Sequence, residues 1–446
     1  MKKLQIFAAL VLLVSAAYAK KSDGWQSLFN GKDLSGWHQL NGKADYRVDN
    51  GEIVGTTVLN TPNSFLATDK DYGDFILELD LKVANGMNSG IQFRSISKPE
   101  INNGRVHGYQ CEVDPSARAW SGGIYDESRR GWLYPGELNP TAKSAFKLGA
   151  WNHYRIECVG NSIRTWINEV PVAYLLDDMT ASGLIALQVH SIGSEDEVGR
   201  QIRWKNIRIK TTDLKATETP DVFVVNLLPN TLSQAEKEQG WKLLFDGKTT
   251  NGWKAAGQET FPSEGWTVVD GTLMAMPNRP ETPVKGTDIV TDEKYSAFEL
   301  QFEFNFAEGA NSGVKYFTGN GGINVGLEYQ VLDDKNHPDA KLGAVGNRTM
   351  SSLYDLIPSD KQPRFTKSFG EWNIGRIVVY PDNRVEHWLN GIKVVEYVRG
   401  SNIYKALVAR SKFAAFEGFG MVKEAPIMLQ YHQDQVKFRS IKIRKL

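Results

Sequence analysis

Two short stretches carry the residues best suited to proton transfer. Over residues 108–114, GYQCEVD, alternation puts Gln110, Glu112 and Asp114 on one strand face and Tyr109, Cys111 and Val113 on the other. In the second half of the chain Glu328 and Gln330 take the places of Gln110 and Glu112, and Asp333 follows after one extra residue. Each half thus has one Glu and one Gln, in swapped order. Carboxylates at i and i+2 on a strand lie roughly 7 Å apart, and a glycosidase acid pair needs roughly 5–9.5 Å. In the second half the three polar side chains stand as Glu328-x-Gln330-x-x-Asp333. A second motif, Leu-Gln-x-His, places Gln188 with His190 and Gln430 with His432 on shared strand faces. An imidazole beside a polar face can act as general base or metal ligand. A cation falls near each set: Gln92 and Arg94 alternate in the first half, Lys315 and Phe317 in the second. A cation there could hold a developing negative charge, or simply pair with a carboxylate. Tyr125, Arg129 and Trp132 form a charged aromatic loop, and Tyr354 repeats its Tyr-Asp start. These would contact a ligand, Gln110 and Gln330 with them; a solvated sheet face would give the same alternation.

The elements that position these residues occur twice. GWQSLFNGKDLSGW begins at Gly24 and GWKLLFDGKTTNGW at Gly240, 216 positions later. That is the length of a domain, not of a solenoid repeat. Asn88-Ser89-Gly90 matches Asn311-Ser312-Gly313, Trp151-Asn152 matches Trp372-Asn373, and Trp166-Ile167-Asn168 matches Trp388-Leu389-Asn390. The offset widens at Leu-Gln-x-His, which places an insertion within residues 399–425. Strand patterns dominate: DFILELDLKV (74–83) and AFELQFEFNF (297–306) alternate with period two. Turns such as Asp49-Asn50-Gly51 and Asn390-Gly391 separate such runs, the pattern of an antiparallel sandwich. The expected fold is all-β, two tandem antiparallel β-sandwiches, with a leader at 1–19, a first domain at 20–212, a linker at 213–238 and a second domain at 239–446. Ser233 followed by Glu236 is a helix-capping signature inside that linker.

The 52 basic and 52 acidic residues cancel and no basic stripe occurs, which argues against nucleic acid and against electrostatic membrane docking. Lys2-Lys3, an apolar run from Leu4 to Val14 and Ala17-Tyr18-Ala19 read as a secretory signal, with a periplasmic or secreted product and no membrane insertion. Cys111 and Cys158 are the only cysteines and read as two separate buried thiols, a cross-strand bridge being the alternative. Aromatic residues make up 11%, enough for cores and for sugar-stacking surfaces. Trp25, Trp37, Trp241 and Trp253 read as core residues because they recur in the terminal strands. No G-x-G-x-x-G, Walker, HExxH or CxxC motif occurs, so no nicotinamide or flavin chemistry is expected.

The GW-x-x-LF-x-GK-x-x-x-GW string, the Asn-Ser-Gly strand start and the ending LQ-x-H with V-x-F-R-x-I-K-I resemble, once per half, the 3-keto-disaccharide hydrolase family. The resemblance implies concanavalin A-like jelly-roll domains and an exported enzyme acting on glycosides whose C3 hydroxyl has been oxidised to a ketone. That ketone acidifies the C2 proton, so a base can remove it, the C1 substituent can leave, and water can add back. Such a site needs a base, an acid and an enolate holder, either a cation from the protein or a divalent metal. On this reading Glu112, Asp114, His190, Glu328, Asp333 and His432 are the catalytic candidates. The resemblance also implies a separate sugar oxidoreductase that prepares the substrate. An ordinary β-glucanase-type hydrolase and a non-catalytic lectin-like protein are the alternatives, since the fold hosts both.

Overall fold

The computed structural model describes residues 24–218 and 221–446; the leader expected at 1–19 lies outside them. Each half forms a β-sandwich of the jelly-roll type with its own apolar core. Among the described residues the first has sheets of nine and seven strands, the second of eight and five. In both, the predicted alternating strand lies at the centre of the larger sheet. Phe75–Val83 pairs with Asn152–Val159 and Gln201–Lys210, and Phe298–Phe306 pairs with Asn373–Val379 and Val436–Lys445. Their apolar sides fill the cores. Their polar sides carry carboxylates clamped by arginines: Glu78 by Arg155 and Arg208, Glu299 by Arg376 and Arg444, Glu303 by Arg439. These ion pairs satisfy the outer faces of the larger sheets; that of the second domain also meets first-domain residues, Glu303, Arg376 and Arg439 lining a cavity of about 360 Å³ with Arg130 and Phe223.

In the first domain the smaller sheet contains β1 (Trp37–Asn41), β2 (Ser64–Thr68), β3 (Ser89–Ile96), β4 (His107–Val113), β5 (Ile124–Glu127), β6 (Gly131–Tyr134) and β7 (Leu184–Val189), in the spatial order β6-β5-β4-β3-β7-β2-β1. In the second it contains β8 (Trp253–Ala255), β9 (Ile289–Tyr295), β10 (Asn311–Tyr316), β11 (Leu327–Leu332) and β12 (Ala425–Leu429), in the order β8-β9-β12-β10-β11. Thus the Asn-Ser-Gly strand lies between the Glu/Gln strand and the Leu-Gln-x-His strand in each domain.

The repeated opening string has a shared local cause. Asn30 Oδ1 accepts from the backbone N–H of Lys32 and Asp33, and Asp246 Oδ1 accepts from those of Lys248 and Thr249. The turn needs a left-handed residue next, which Gly31 (φ 76°) and Gly247 (φ 79°) supply. The closing tryptophan then donates its indole N–H back to the Leu carbonyl, Trp37 to Leu28 at 2.7 Å and Trp253 to Leu244 at 2.6 Å. Both rings are buried, as is Trp241, whereas Trp25 is half-buried with the Arg208 guanidinium over it.

The segment between the domains is structured. Val224–Asn226 adds to the larger first-domain sheet, parallel to Val170–Leu176. Helix α1 (Gln234–Glu238) begins with the capping box expected from Ser233 and Glu236. Glu236 also accepts from Asn226 and pairs with Lys442 of the second domain. Cys111 and Cys158 are free and buried, and burial raises both thiols, Cys158 to about 12.

Candidate active site

The Asn-Ser-Gly motif builds the floor of each site. Its serine hydroxyl donates to the Gln carbonyl of Leu-Gln-x-His, Ser89 to Gln188 at 2.6 Å and Ser312 to Gln430 at 2.8 Å. Its glycine leaves room for the facing strand. A Cβ at Gly90 would collide with Gln110, and one at Gly313 with the Glu328 carboxylate. Gln110 of β4 and Glu328 of β11 therefore lie over bare backbone that a side chain would otherwise occupy.

In the first domain a cavity of about 720 Å³ opens over this floor. Gln110, Glu112, Tyr125, Trp132 and His190 line it together with Asn88, Arg105, Arg118 and Glu127. Glu112 is 4% exposed. Its two oxygens accept from Asn88 Nδ2 at 2.7 Å and Gln110 Nε2 at 2.9 Å. Gln110 is aimed by Gln92 (2.6 Å) and Gln188 (2.9 Å), which both donate to its Oε1. Burial outweighs these bonds and raises the Glu112 carboxyl to about 7. His190 Nδ1 lies 2.7 Å from the Ser191 carbonyl. A carbonyl only accepts, so Nδ1 carries the proton of the neutral ring and Nε2 keeps a free lone pair. Trp132 meets Tyr125 edge-on at 5.2 Å and Trp120 at 4.7 Å, and the Arg118 guanidinium lies over both Trp rings.

The second domain's cavity, about 650 Å³, is lined by Lys315, Glu328, Gln330, Tyr354 and His432 with Asn311, His337, Lys412 and Gln430. Burial raises Glu328 against the opposing pull of Lys315 and Lys412, and burial lowers Lys412. Asp434, 3.7 Å from His432 Nδ1, raises that imidazole. Tyr354 donates to Asp339 at 2.8 Å. Asn311 Oδ1, Gln430 Oε1 and both side-chain polar atoms of Gln330 are buried with no partner among the described residues. Such atoms are costly unless a ligand or water meets them.

His337, His432 and Asp434 bring ligand atoms within 4.8 Å of one another, the one grouping of metal-binding type among the described residues. The chemistry of the donors is against a tight site. His337 Nδ1 accepts the Asp339 backbone N–H at 3.1 Å. The neutral ring then carries its proton on Nε2 and has no free lone pair for a cation.

Five of the predicted site residues lie elsewhere. Asp114 accepts from Arg118 at 2.7 Å and from the Ser116 backbone, and Asp333 accepts from the backbone of Gly309, Lys335 and Asn336. Both bracket loops at the strand end and neither lines a cavity. Arg94 is 2% exposed and turned away: it donates to Asp74 and to the Gly73 and Gly160 carbonyls. The cause is a bulge in β3, where Arg94 has φ 44° and the register shifts, so strict alternation ends before it. Arg129 donates to Asp126 and Thr180 behind the cavity wall. Gln92 is wholly buried and supports Gln110 from below.

Sequence reasoning missed Arg105, Arg118 and Glu127 in the first cavity and His337 and Lys412 in the second. Arg118 and His337 each lie four residues past the strand-end aspartate, Asp114 or Asp333, a correspondence that the doubled sequence contains. Lys412 lies in the 399–425 insertion, whose length was the available signal. The insertion also holds helix α2 (Asn402–Ala409).

A family model described as the 3-keto-alpha-glucoside-1,2-lyase-like domain matches residues 24–210 and again 240–444. A 3-keto-disaccharide hydrolase of Bacteroides thetaiotaomicron is 37% identical over 232 residues, covering 46% of this chain and 79% of that protein. Two crystal structures from Parabacteroides distasonis ATCC 8503, both bearing glycosyl hydrolase names, are similar. One is 29% identical, with a TM-score of 0.42 over 49% of this chain and 99% of that one. The other is 26% identical, with a TM-score of 0.36 over 46% and 99%. The chain belongs to the 3-keto-alpha-glucoside-1,2-lyase-like domain family and carries that domain in two tandem copies.

Proposed function

We propose that the chain is an exported hydrolase of glycosides oxidised at C3, and that the first domain's cavity performs the reaction by elimination and hydration. The observation that carries this reading is Glu112, raised to about 7, in one open cavity with His190, whose Nδ1 is turned to the Ser191 carbonyl and whose Nε2 has no partner among the described residues. Two groups so poised divide acid and base work at neutral pH.

His190 Nε2 removes the C2 proton made acidic by the C3 ketone. Electrons move from the C2–H bond into the enolate, and the Arg118 guanidinium offsets its charge. The enolate collapses to expel the C1 oxygen, which takes the Glu112 proton. Glu112, now a carboxylate, removes a proton from water as that water adds to C1, and His190 returns its proton to C2. The sum is one glycoside and one water giving a 3-keto sugar and an alcohol. Tyr125 and Trp132 offer ring surfaces for the pyranose. The protein's own cations suffice for the enolate, so no divalent metal takes part. The second cavity has the same kinds of group in Glu328, His432 and Lys412 and handles a second glycoside. An exported oxidoreductase upstream would supply the ketone. The Lys2-Lys3 n-region, the apolar run and Ala17-Tyr18-Ala19 support export.

The test is incubation with methyl 3-keto-glucoside and methyl glucoside side by side. Methanol release from the ketone alone is expected, reduced by His190→Gln and by Glu112→Gln. Binding of either sugar without methanol release would leave a lectin-like protein instead.

A further inference from the structure

Arg364, on a turn of the second domain, lines the cavity of the first. The reverse does not occur: all residues lining the second cavity come from 311–432. The turn, Pro363–Phe365, is fastened across the domain boundary by two contacts of different kinds. Phe365, 6% exposed, packs on Trp120 at 5.6 Å. Trp120 in turn buttresses Trp132, the ring in the cavity wall. Two residues on, the Lys367 ammonium donates to the Arg130 carbonyl. Within the turn the Arg364 guanidinium lies over Phe365 at 4.7 Å, and its Nε donates to Gln362 at 3.0 Å. Its two terminal amino groups have no partner and its charge meets no carboxylate among the described residues, whereas Arg105 meets Glu127 through a terminal amino group and Arg118 meets Asp114 through Nε.

Glu112 and its amide relay are buried at the floor, whereas Arg364 is exposed at the mouth. The leaving oxygen of a reacting sugar must reach the Glu112 proton at the floor, and only the open cavity toward the mouth has room for the rest of a leaving sugar. A cavity of about 720 Å³ also lies in the upper part of the range for ligand pockets. We propose that Arg364 is a specificity-determining residue of the first domain's site, donating its free amino groups to the hydroxyl oxygens of the leaving sugar. The first site is then complete only when the second domain is docked, and it selects a disaccharide over a simple alkyl glycoside. This rests on the hydrolytic reading above.

The experiment uses the full chain with Glu328→Gln in the second cavity. Arg364→Met is added, which keeps the stem packed on Phe365 and removes the charge. Rates are measured on a 3-keto-disaccharide and on methyl 3-keto-glucoside. KM for the disaccharide should rise about tenfold or more relative to any rise for the methyl glycoside, as expected for a charge-assisted hydrogen bond, with kcat retained and Arg364→Lys partly restoring it. Equal changes for both substrates, or no change, would overturn the assignment. Should neither glycoside be turned over by the parent, the hydrolytic reading fails on its own. Calorimetric titration with the unoxidised disaccharide then decides about Arg364. Tenfold weaker binding in the Met variant supports it, and equal binding, or none by the parent, overturns it.

Discussion

Replacing Glu112 by Gln should leave the fold intact and remove this side chain's share of the pH dependence of stability. The carboxyl ionises near 4.5 in an unfolded chain and near 7 in the cavity. Between these values the unfolded state gives up a proton that the folded state keeps. The stability this group contributes is therefore fully present below about 4.5 and lost as pH rises through about 7. One pH unit is about 1.36 kcal/mol, and integration from pH 5 to pH 8 gives a loss of about 2.5 kcal/mol. Gln cannot ionise and escapes the loss. It does turn an amino group toward Asn88 or Gln110, both donors, and so forfeits about 1 kcal/mol at every pH. The variant should be close to the parent or slightly weaker at pH 5 and more stable at pH 8. For a domain of this size the melting-temperature difference should move by about 5–10 °C between the two pH values. Calorimetry on the first domain's transition is the assay. A difference identical at pH 5 and pH 8 would refute the raised carboxyl, and with it the acid assigned to the leaving oxygen.

Activity of the first cavity, measured in the Glu328→Gln chain, should decline above pH 7 as the Glu112 proton is lost, and a nitrophenyl leaving group should flatten that limb, since it departs without an acid. Gly90→Ala should drive Gln110 off its seat and lower turnover in the same chain by about 100-fold, the scale of one misplaced acid–base group; full activity would remove the bare-backbone floor from the mechanism. Dialysis against a chelator should leave turnover on methyl 3-keto-glucoside unchanged, and a loss restored by one divalent cation would move the enolate holder from Arg118 to a metal.

The sandwich could be read from the sequence because period-two alternation and the doubled strings report directly on which face a core claims. Glu112 and Glu328 were legible for the same reason, since each lies on a regular strand where residue parity decides the side; His190 and His432 fall just past the ends of Leu184–Val189 and Ala425–Leu429 and still line the cavities. Arg94 was misread because a single left-handed residue in β3 breaks that parity. Asp114 and Asp333 share the parity or spacing of their strands but fall just past the last pair, where backbone N–H groups compete for a carboxylate. Arg364 and Lys412 come from segments far along the chain whose position depends on docking, and no local pattern encodes that. The Glu/Gln swap was visible, but its effect was not: the first amide set keeps one open atom, Gln188 Oε1, and the second keeps Asn311 Oδ1, Gln430 Oε1 and both polar atoms of Gln330 open among the described residues, a result of packing that no local pattern encodes.

The short parallel strand Val224–Asn226 gives the chain a boundary problem. It covers the open edge of Val170–Leu176, and Tyr174, Leu176, Val222, Val224 and Ala235 form a small apolar cluster around it. A first-domain fragment cut at residue 212 would expose that edge and that cluster together, the combination that templates strand-to-strand aggregation. The connecting segment is therefore an edge guard as much as a tether. Fragments meant to separate the two halves will stay soluble only if the first keeps its residues through Asn226.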